Sequence, residues 1–160
     1  MKKKAILFVC HGNICRSPMA EYRMKDLLRR AGLEDLFTVD SAAVSDEETG
    51  NPVYPPASRK LREKGIDCPP RRAKKITPGD YGRYDLILGM DRGNLYRMLR
   101  VFGGDPGGKV KLLLDFTARP RDVADPWYTG DFEAAWRDID EGCRALFEAL
   151  TESRRTEGQP

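Results

Sequence analysis

Nine consecutive residues, Cys10-His11-Gly12-Asn13-Ile14-Cys15-Arg16-Ser17-Pro18, combine a thiol, a guanidinium and a hydroxyl in one short loop. Successive backbone N–H groups in a tight loop form a concave anion site, and a helix starting behind it adds partial positive charge. Gly12 and Asn13 are the types that best tolerate the positive φ such a loop requires. Arg16 offers a planar fork for two oxygens of a tetrahedral oxyanion. A cysteine at the mouth of that field is favoured as a thiolate, and a thiolate beside a bound phosphate is set for in-line attack. Ser17 could give its hydroxyl hydrogen to the sulfur, easing both ionisation and departure. An isolated cysteine at a strand end would read as a small buried residue. In this company Cys10 reads as a nucleophile.

Such a nucleophile needs an acid on a different segment, because the leaving oxygen faces out of the phosphate cup. Asp125-Pro126-Trp127-Tyr128 supplies a candidate, since Pro126 restricts Asp125 to extended or turn backbone. On residue type alone Asp115 and Asp122 are rival acids. Trp127 and Tyr128 would either wall an aryl ring or anchor the last helix. Aromatic walls around a deep pocket favour phosphotyrosine over the shorter phosphoserine.

These groups need strands and helices to carry them. The apolar run 5–9 reads as a strand covered on both faces. Ser17 then reads as an N-cap with Pro18 in the first turn of a helix that Gly32 ends. Further strands are expected over 37–43, 85–90 and 110–114, and helices over 57–64, 91–100 and from Phe132 to Leu150. Asp91 is expected to N-cap its helix. Strands alternating with helices predict an α/β fold: one domain over 1–152, with a four-stranded parallel sheet and helices on both faces, a flavodoxin-like three-layer sandwich. Ligands bind such sheets beyond the carboxyl ends of the strands. Residues 153–160 read as a polar, flexible tail.

Composition narrows the rest. The 160 residues hold 28 Lys+Arg and 25 Asp+Glu, a net charge of +3 that gives no reason to expect nucleic acid. No apolar run reaches the roughly 20 residues that span a bilayer, and 5–9 is too short for the core of a signal peptide. Charge is uneven: residues 57–75 carry eight basic and two acidic side chains, and 121–141 carry two basic and seven acidic. Cys10, Cys15, Cys68 and Cys143 show no CxxC spacing, and His11 is the one histidine, so neither a disulfide framework nor a metal site is expected. The chain is read as cytoplasmic, a monomer or weak homodimer. Gly103 to Lys109 imitates a nucleotide-binding loop but lacks the hydroxyl at Val110 and precedes a strand, so it reads as a turn.

The run from Val9 to Pro18 resembles the signature of the low-molecular-weight protein tyrosine phosphatases. Asp40-Ser41-Ala42-Ala43, Gly50-Asn51-Pro52, Met90-Asp91 and Asp125-Pro126-Trp127-Tyr128 extend the resemblance over nearly the whole chain. It implies a metal-independent, cofactor-free hydrolase acting on a tyrosine-phosphorylated protein or aryl phosphate. Cys10 would form a phosphocysteine, Arg16 and the amides of residues 10–17 would hold the phosphate, and Asp125 would act as acid and then base. Asn13 would brace the loop with Ser41 as partner. Cys15 would either pair reversibly with Cys10 under peroxide or simply pack. Glu47, Trp127 and Tyr128 would form the rim. Two departures bear on substrate preference: Glu47 stands at a rim position where many relatives carry an aromatic or apolar residue, and Arg71 where many carry a histidine near the bracing network. Rival readings are an arsenate reductase, disfavoured because Cys68 and Cys143 lack local pairing, and an arginine phosphatase, disfavoured by Ile14 where threonine is typical. A third is a non-catalytic phosphate-binding module, which would lack Cys10 or Asp125.

Overall fold

The computed structural model describes residues 3–157. Four strands, β1 (Lys4–Cys10), β2 (Phe37–Ala43), β3 (Leu86–Gly89) and β4 (Val110–Leu112), form one parallel sheet in the order β2-β1-β3-β4. The period of two along β1 sorts its side chains between two cores. Ile6, Phe8 and Cys10 pack with Met19, Met24 and Leu28 of α1 (Arg16–Arg30) and with Ile139, Cys143 and Leu146 of α6 (Phe132–Glu157). Leu7 and Val9 face the other way, onto Met98 of α4 (Arg92–Phe102). β1 is thus buried on both faces and paired on both edges, as its unbroken apolar run requires. β2 and β3 leave β1 on opposite sides. That divergence opens a crevice at the carboxyl end of β1, where Cys10 sits.

Three short helices fall where sequence periodicity gave no signal or only part of one: α2 (Pro55–Glu63), α3 (Asp80–Arg83) and α5 (Pro126–Thr129). α2 and α5 both begin on proline at the first helical position. The N-cap of α1 is Cys15 and not Ser17, because the Ser17 hydroxyl is engaged by Cys10 and Asn13. β4 stops at Leu112, since the Asp115 carboxylate accepts the Leu112 N–H and turns 113–116 into a 3-10 helix. Asp91 caps α4 as expected, accepting the Asn94 N–H at 2.8 Å. α6 runs to Glu157, so residues 153–157 of the expected tail are helical, while 158–160 lie outside the described residues. Gly103 closes α4 in the left-handed region, making 103–108 the turn that was anticipated. Among the described residues no helix is long and apolar enough to cross a membrane.

α6 seats against the 3-10 turn through Gly142, where an added Cβ would come within 2.5 Å of Leu113 Cγ. Alanine is the better helix former by about 1 kcal/mol, but forcing a methyl against a buried branch-point carbon costs about 1–3 kcal/mol. The second effect should win. Gly142→Ala is expected to lower the unfolding free energy by up to about 2 kcal/mol in a urea titration, and a rise would show that Leu113 moves aside freely.

Candidate active site

Residues 10–15 run from the end of β1 to the start of α1 as a loop wrapped around the Cys10 sulfur. Cys10 Sγ receives the Asn13 backbone N–H at 3.3 Å and lies 3.0 Å from Ser17 Oγ. Asn13 takes φ 60°, a left-handed conformation that asparagine tolerates. Gly12 does not, so its expected role as a positive-φ residue is corrected: its missing side chain leaves room for Glu48, whose Cγ would lie 3.1 Å from an added Cβ. The loop after β2 is tied to this one through Val44 N–H to the Cys10 carbonyl and Ser45 N–H to the His11 carbonyl.

Behind the loop, buried polar side chains form a connected brace. Asn13 Nδ2 donates to Ser17 Oγ at 2.8 Å and to Ser41 Oγ at 2.9 Å. Its Oδ1 accepts from Arg71 at 2.6 Å and from the Lys74 N–H at 3.2 Å. Arg71 also donates to the Asn13 carbonyl and to Ser41 Oγ, while Ser41 donates to the buried Glu21. Every polar atom in this brace has a partner among the described residues, as burial demands.

Arg16 is only 2% exposed. Its guanidinium meets Asp91 at 2.9 Å, the Val123 carbonyl at 3.1 Å and Asp125 at 3.3 Å. Burial alone would lower its pKa. The negative charges of Cys10, Asp125 and Asp91 overcome that and hold it above its ordinary value. Asp125 Oδ1 accepts the Trp127 N–H and so caps α5. Asp115 turns the chain after β4, and Asp122 accepts the Arg92 N–H; of the three, Asp125 is the one that lines the cavity.

One cavity of about 110 Å³ is lined by Cys10, His11, Gly12, Ile14, Cys15, Arg16, Glu47, Glu48, Asp125, Trp127 and Tyr128. Asn13, Ser17 and Ser41 lie buried behind it. A larger groove, about 430 Å³, runs between α1 and β2 but holds none of these groups, so chemistry and not size marks the site. Trp127 lines the cavity, in keeping with the wall reading, and packs edge-on to Tyr54 with centroids 5.1 Å apart, so its observed ring partner is Tyr54 and not a residue of the last helix.

The sequence model of one family, described as "Low molecular weight phosphotyrosine protein phosphatase", matches residues 5–156. The chain belongs to that family. It is 35% identical over 153 residues to the low molecular weight protein-tyrosine-phosphatase YfkJ of Bacillus subtilis, covering 94% of this chain and 98% of YfkJ. The YfkJ crystal structure superposes with a TM-score of 0.92 over 99% of both chains. The Sus scrofa low molecular weight phosphotyrosine protein phosphatase is 37% identical over 152 residues, covering 92% of this chain and 96% of its own. A Drosophila arginine phosphatase is 30% identical, with a TM-score of 0.81 over 91% of this chain and 96% of that one.

Several residues of this phosphatase site escape sequence reading. Tyr54 backs the aromatic wall and Glu21 ends the brace, yet neither stands in a motif; only the folded chain brings them in. Arg71 is legible as a departure, but its grip on Asn13 is not. Asp91 is legible as a cap, but not as a partner of Arg16. The four cysteines are free. Burial pushes the Cys15 pKa up to about 12, with the Cys10 and Asp125 charges adding to the rise. Burial also raises Cys143, which sits in the core as expected.

Two outcomes follow from this geometry. A thiol with a pKa of about 12 is roughly one part in a thousand thiolate at pH 9, so iodoacetamide should leave Cys15 unmodified in native protein from pH 7 to 9. Because the folded value lies above the unfolded one, the stability Cys15 contributes is present below about pH 9 and fades as pH rises toward 12. Rapid labelling of Cys15 at pH 7, read by mass spectrometry, would contradict this. Separately, Arg71→Ala strands the Asn13 carbonyl and should cost about 1–3 kcal/mol of unfolding free energy. Lysine cannot reproduce the two-pronged grip and should recover only part of it.

Proposed function

We propose that the phosphatase hydrolyses phosphotyrosine in proteins through a phosphocysteine intermediate. The observation that carries this reading is the convergence, around one cavity, of a sulfur that receives the Asn13 N–H and lies 3.0 Å from a hydroxyl oxygen, a buried guanidinium, and a carboxylate from another segment. Cys10 attacks phosphorus in line as its P–O bond to the phenol breaks, and Asp125 gives its proton to the departing phenolate oxygen. Asp125, now a carboxylate, takes a proton from water, whose oxygen attacks phosphorus and breaks the P–S bond. The thiolate leaves with the Ser17 hydroxyl beside it, and phosphate is released. Arg16 and the loop amides stabilise the equatorial oxygens throughout, where charge concentrates in the transition state.

Substrate choice is argued from the walls. Ile14 puts a branched apolar side chain into the cavity, and Trp127 and Tyr128 flank it, which suits an aryl ring. The family resemblance to a Drosophila arginine phosphatase supplies the alternative substrate, phosphoarginine.

Purified protein should hydrolyse p-nitrophenyl phosphate and tyrosine phosphopeptides in excess EDTA. Cys10→Ser should abolish turnover yet still bind vanadate, and Asp125→Asn should lower kcat by about 10²–10⁴-fold. Activity that requires added metal, full activity in Cys10→Ser, or faster release of phosphate from phosphoarginine peptides would each overturn a stated part of the reading.

A further inference from the structure

His11 sits at the lip of the cavity between two charged side chains. Its Nδ1 lies 3.3 Å from an Arg97 nitrogen, and its Nε2 lies 3.0 Å from Glu47 Oε2. Arginine has no acceptor, so Nδ1 must accept; Nε2 then carries the hydrogen and donates to Glu47. The imidazole acts as a spacer. It occupies Glu47 on one side, and no ion pair forms between Glu47 and Arg97.

Arg97 is exposed on α4, and Arg100 lies one turn further along the same face. Together with Val44 and Val101 they line a shallow cleft of about 320 Å³, next to the lip through the Arg97 contact with His11. Neither arginine meets a carboxylate among the described residues, and Arg100 instead lies over the Tyr96 ring at 5.9 Å. Arg29, Arg30, Arg83, Arg121, Arg137 and Arg144 are paired with acids, whereas the exposed Arg59, Arg62, Arg72, Arg92 and Arg119 make no ion pair among the described residues; what sets Arg97 apart is its contact with His11 at the cavity lip. A guanidinium with five donors, one of them engaged, beside the mouth of a phosphatase site has spare capacity for a carboxylate from outside.

Resting on the phosphotyrosine reading, we propose that Arg97, assisted by Arg100, is a specificity-determining residue that binds an Asp or Glu side chain flanking the phosphotyrosine of the substrate. The His11 spacer keeps this cation from being neutralised by Glu47. The Glu47 and Glu48 side of the mouth repels the same acid, so the preference is confined to flanking positions that lie over α4.

The test is a set of tyrosine phosphopeptides in which one Glu is moved through the three positions on each side and compared with Gln. At one or two positions Glu should raise kcat/KM about threefold to fivefold, mainly through KM, as expected for a partly solvated charge pair. The ratio should fall to about one in Arg97→Gln, be partly restored in Arg97→Lys, and shrink in about 0.5 M NaCl. Binding of the same peptides to Cys10→Ser protein should show the same pattern without any chemistry. That arm separates the two readings: loss of turnover on p-nitrophenyl phosphate and on every peptide would sink the phosphatase mechanism, while the binding ratio still reports on Arg97. No Glu preference at any position, a preference that survives Arg97→Gln, or a preference for Lys imposed by Glu47 and Glu48 would overturn the proposal.

Discussion

Asn13 is fully buried in a left-handed backbone conformation, and its side-chain amide has no hydrogen-bonding capacity left over. Arg71 and the Lys74 N–H can only donate, so Oδ1 must face them and Nδ2 must face Ser17 and Ser41. The orientation then propagates. Ser41 accepts from both Asn13 and Arg71, so its one hydrogen goes to Glu21. Ser17 accepts from Asn13, so its hydrogen is free to point at the Cys10 sulfur. Arg71 and the Lys74 N–H, by setting the Asn13 amide, thereby fix which way the Ser17 hydroxyl behind the cavity points. Low local dielectric strengthens such a chain and makes any broken link costly.

The front of the loop depends on a different balance. A buried guanidinium is expensive unless paired, and Arg16 has Asp91 and Asp125 as partners. The same Asp91 caps α4, and the same Asp125 caps α5. One cation therefore locks together the segments that follow β1, β3 and β4, the places where an open parallel sheet offers its carboxyl ends. The two partners differ in what they give up. Asp91 is held at 2.9 Å by a strong contact and serves as a fixed counter-ion. Asp125 is held more loosely at 3.3 Å and lines the cavity, which suits the proton transfer proposed for it.

The chain announced what is local. A thiol-bearing loop between a strand and a helix, the apolar run of β1, the proline after Asp125 and the cap at Asp91 all act over a few residues; each is found, though the loop ends at Cys15 and the helix takes up Arg16, Ser17 and Pro18. What stayed hidden depends on distance in sequence. Arg71 reaches Asn13 across 58 residues, and Glu21 meets Ser41 across 20; neither contact leaves a periodicity. Helix boundaries were missed for a related reason. Ser17 has the composition of an N-cap, but the sulfur and Asn13 claim its hydroxyl, so tertiary chemistry overrides local preference. The strand expected to reach Leu114 ends early because one carboxylate, Asp115, turns the backbone.

Charge shows the same contrast between local and folded scales. The basic stretch 57–75 and the acidic stretch 121–141 look like two exposed patches when read along the chain. In the fold most of the acidic stretch is paired, while Arg59, Arg62, Arg72, Lys74 and Lys75 of the basic stretch make no ion pair among the described residues. Lys60 and Lys64 meet Glu133, which binds α2 to α6, while Arg121 holds Asp138 and Glu141. Asp140 takes Arg23 of α1, and Arg71 is consumed by the brace. Exposed pairs of this kind contribute little stability singly, but they remove charge that would otherwise compete for a phosphorylated ligand. The charged side chains that line the cavity itself are few: Arg16, Asp125, Glu47 and Glu48, with Arg97 just beyond His11.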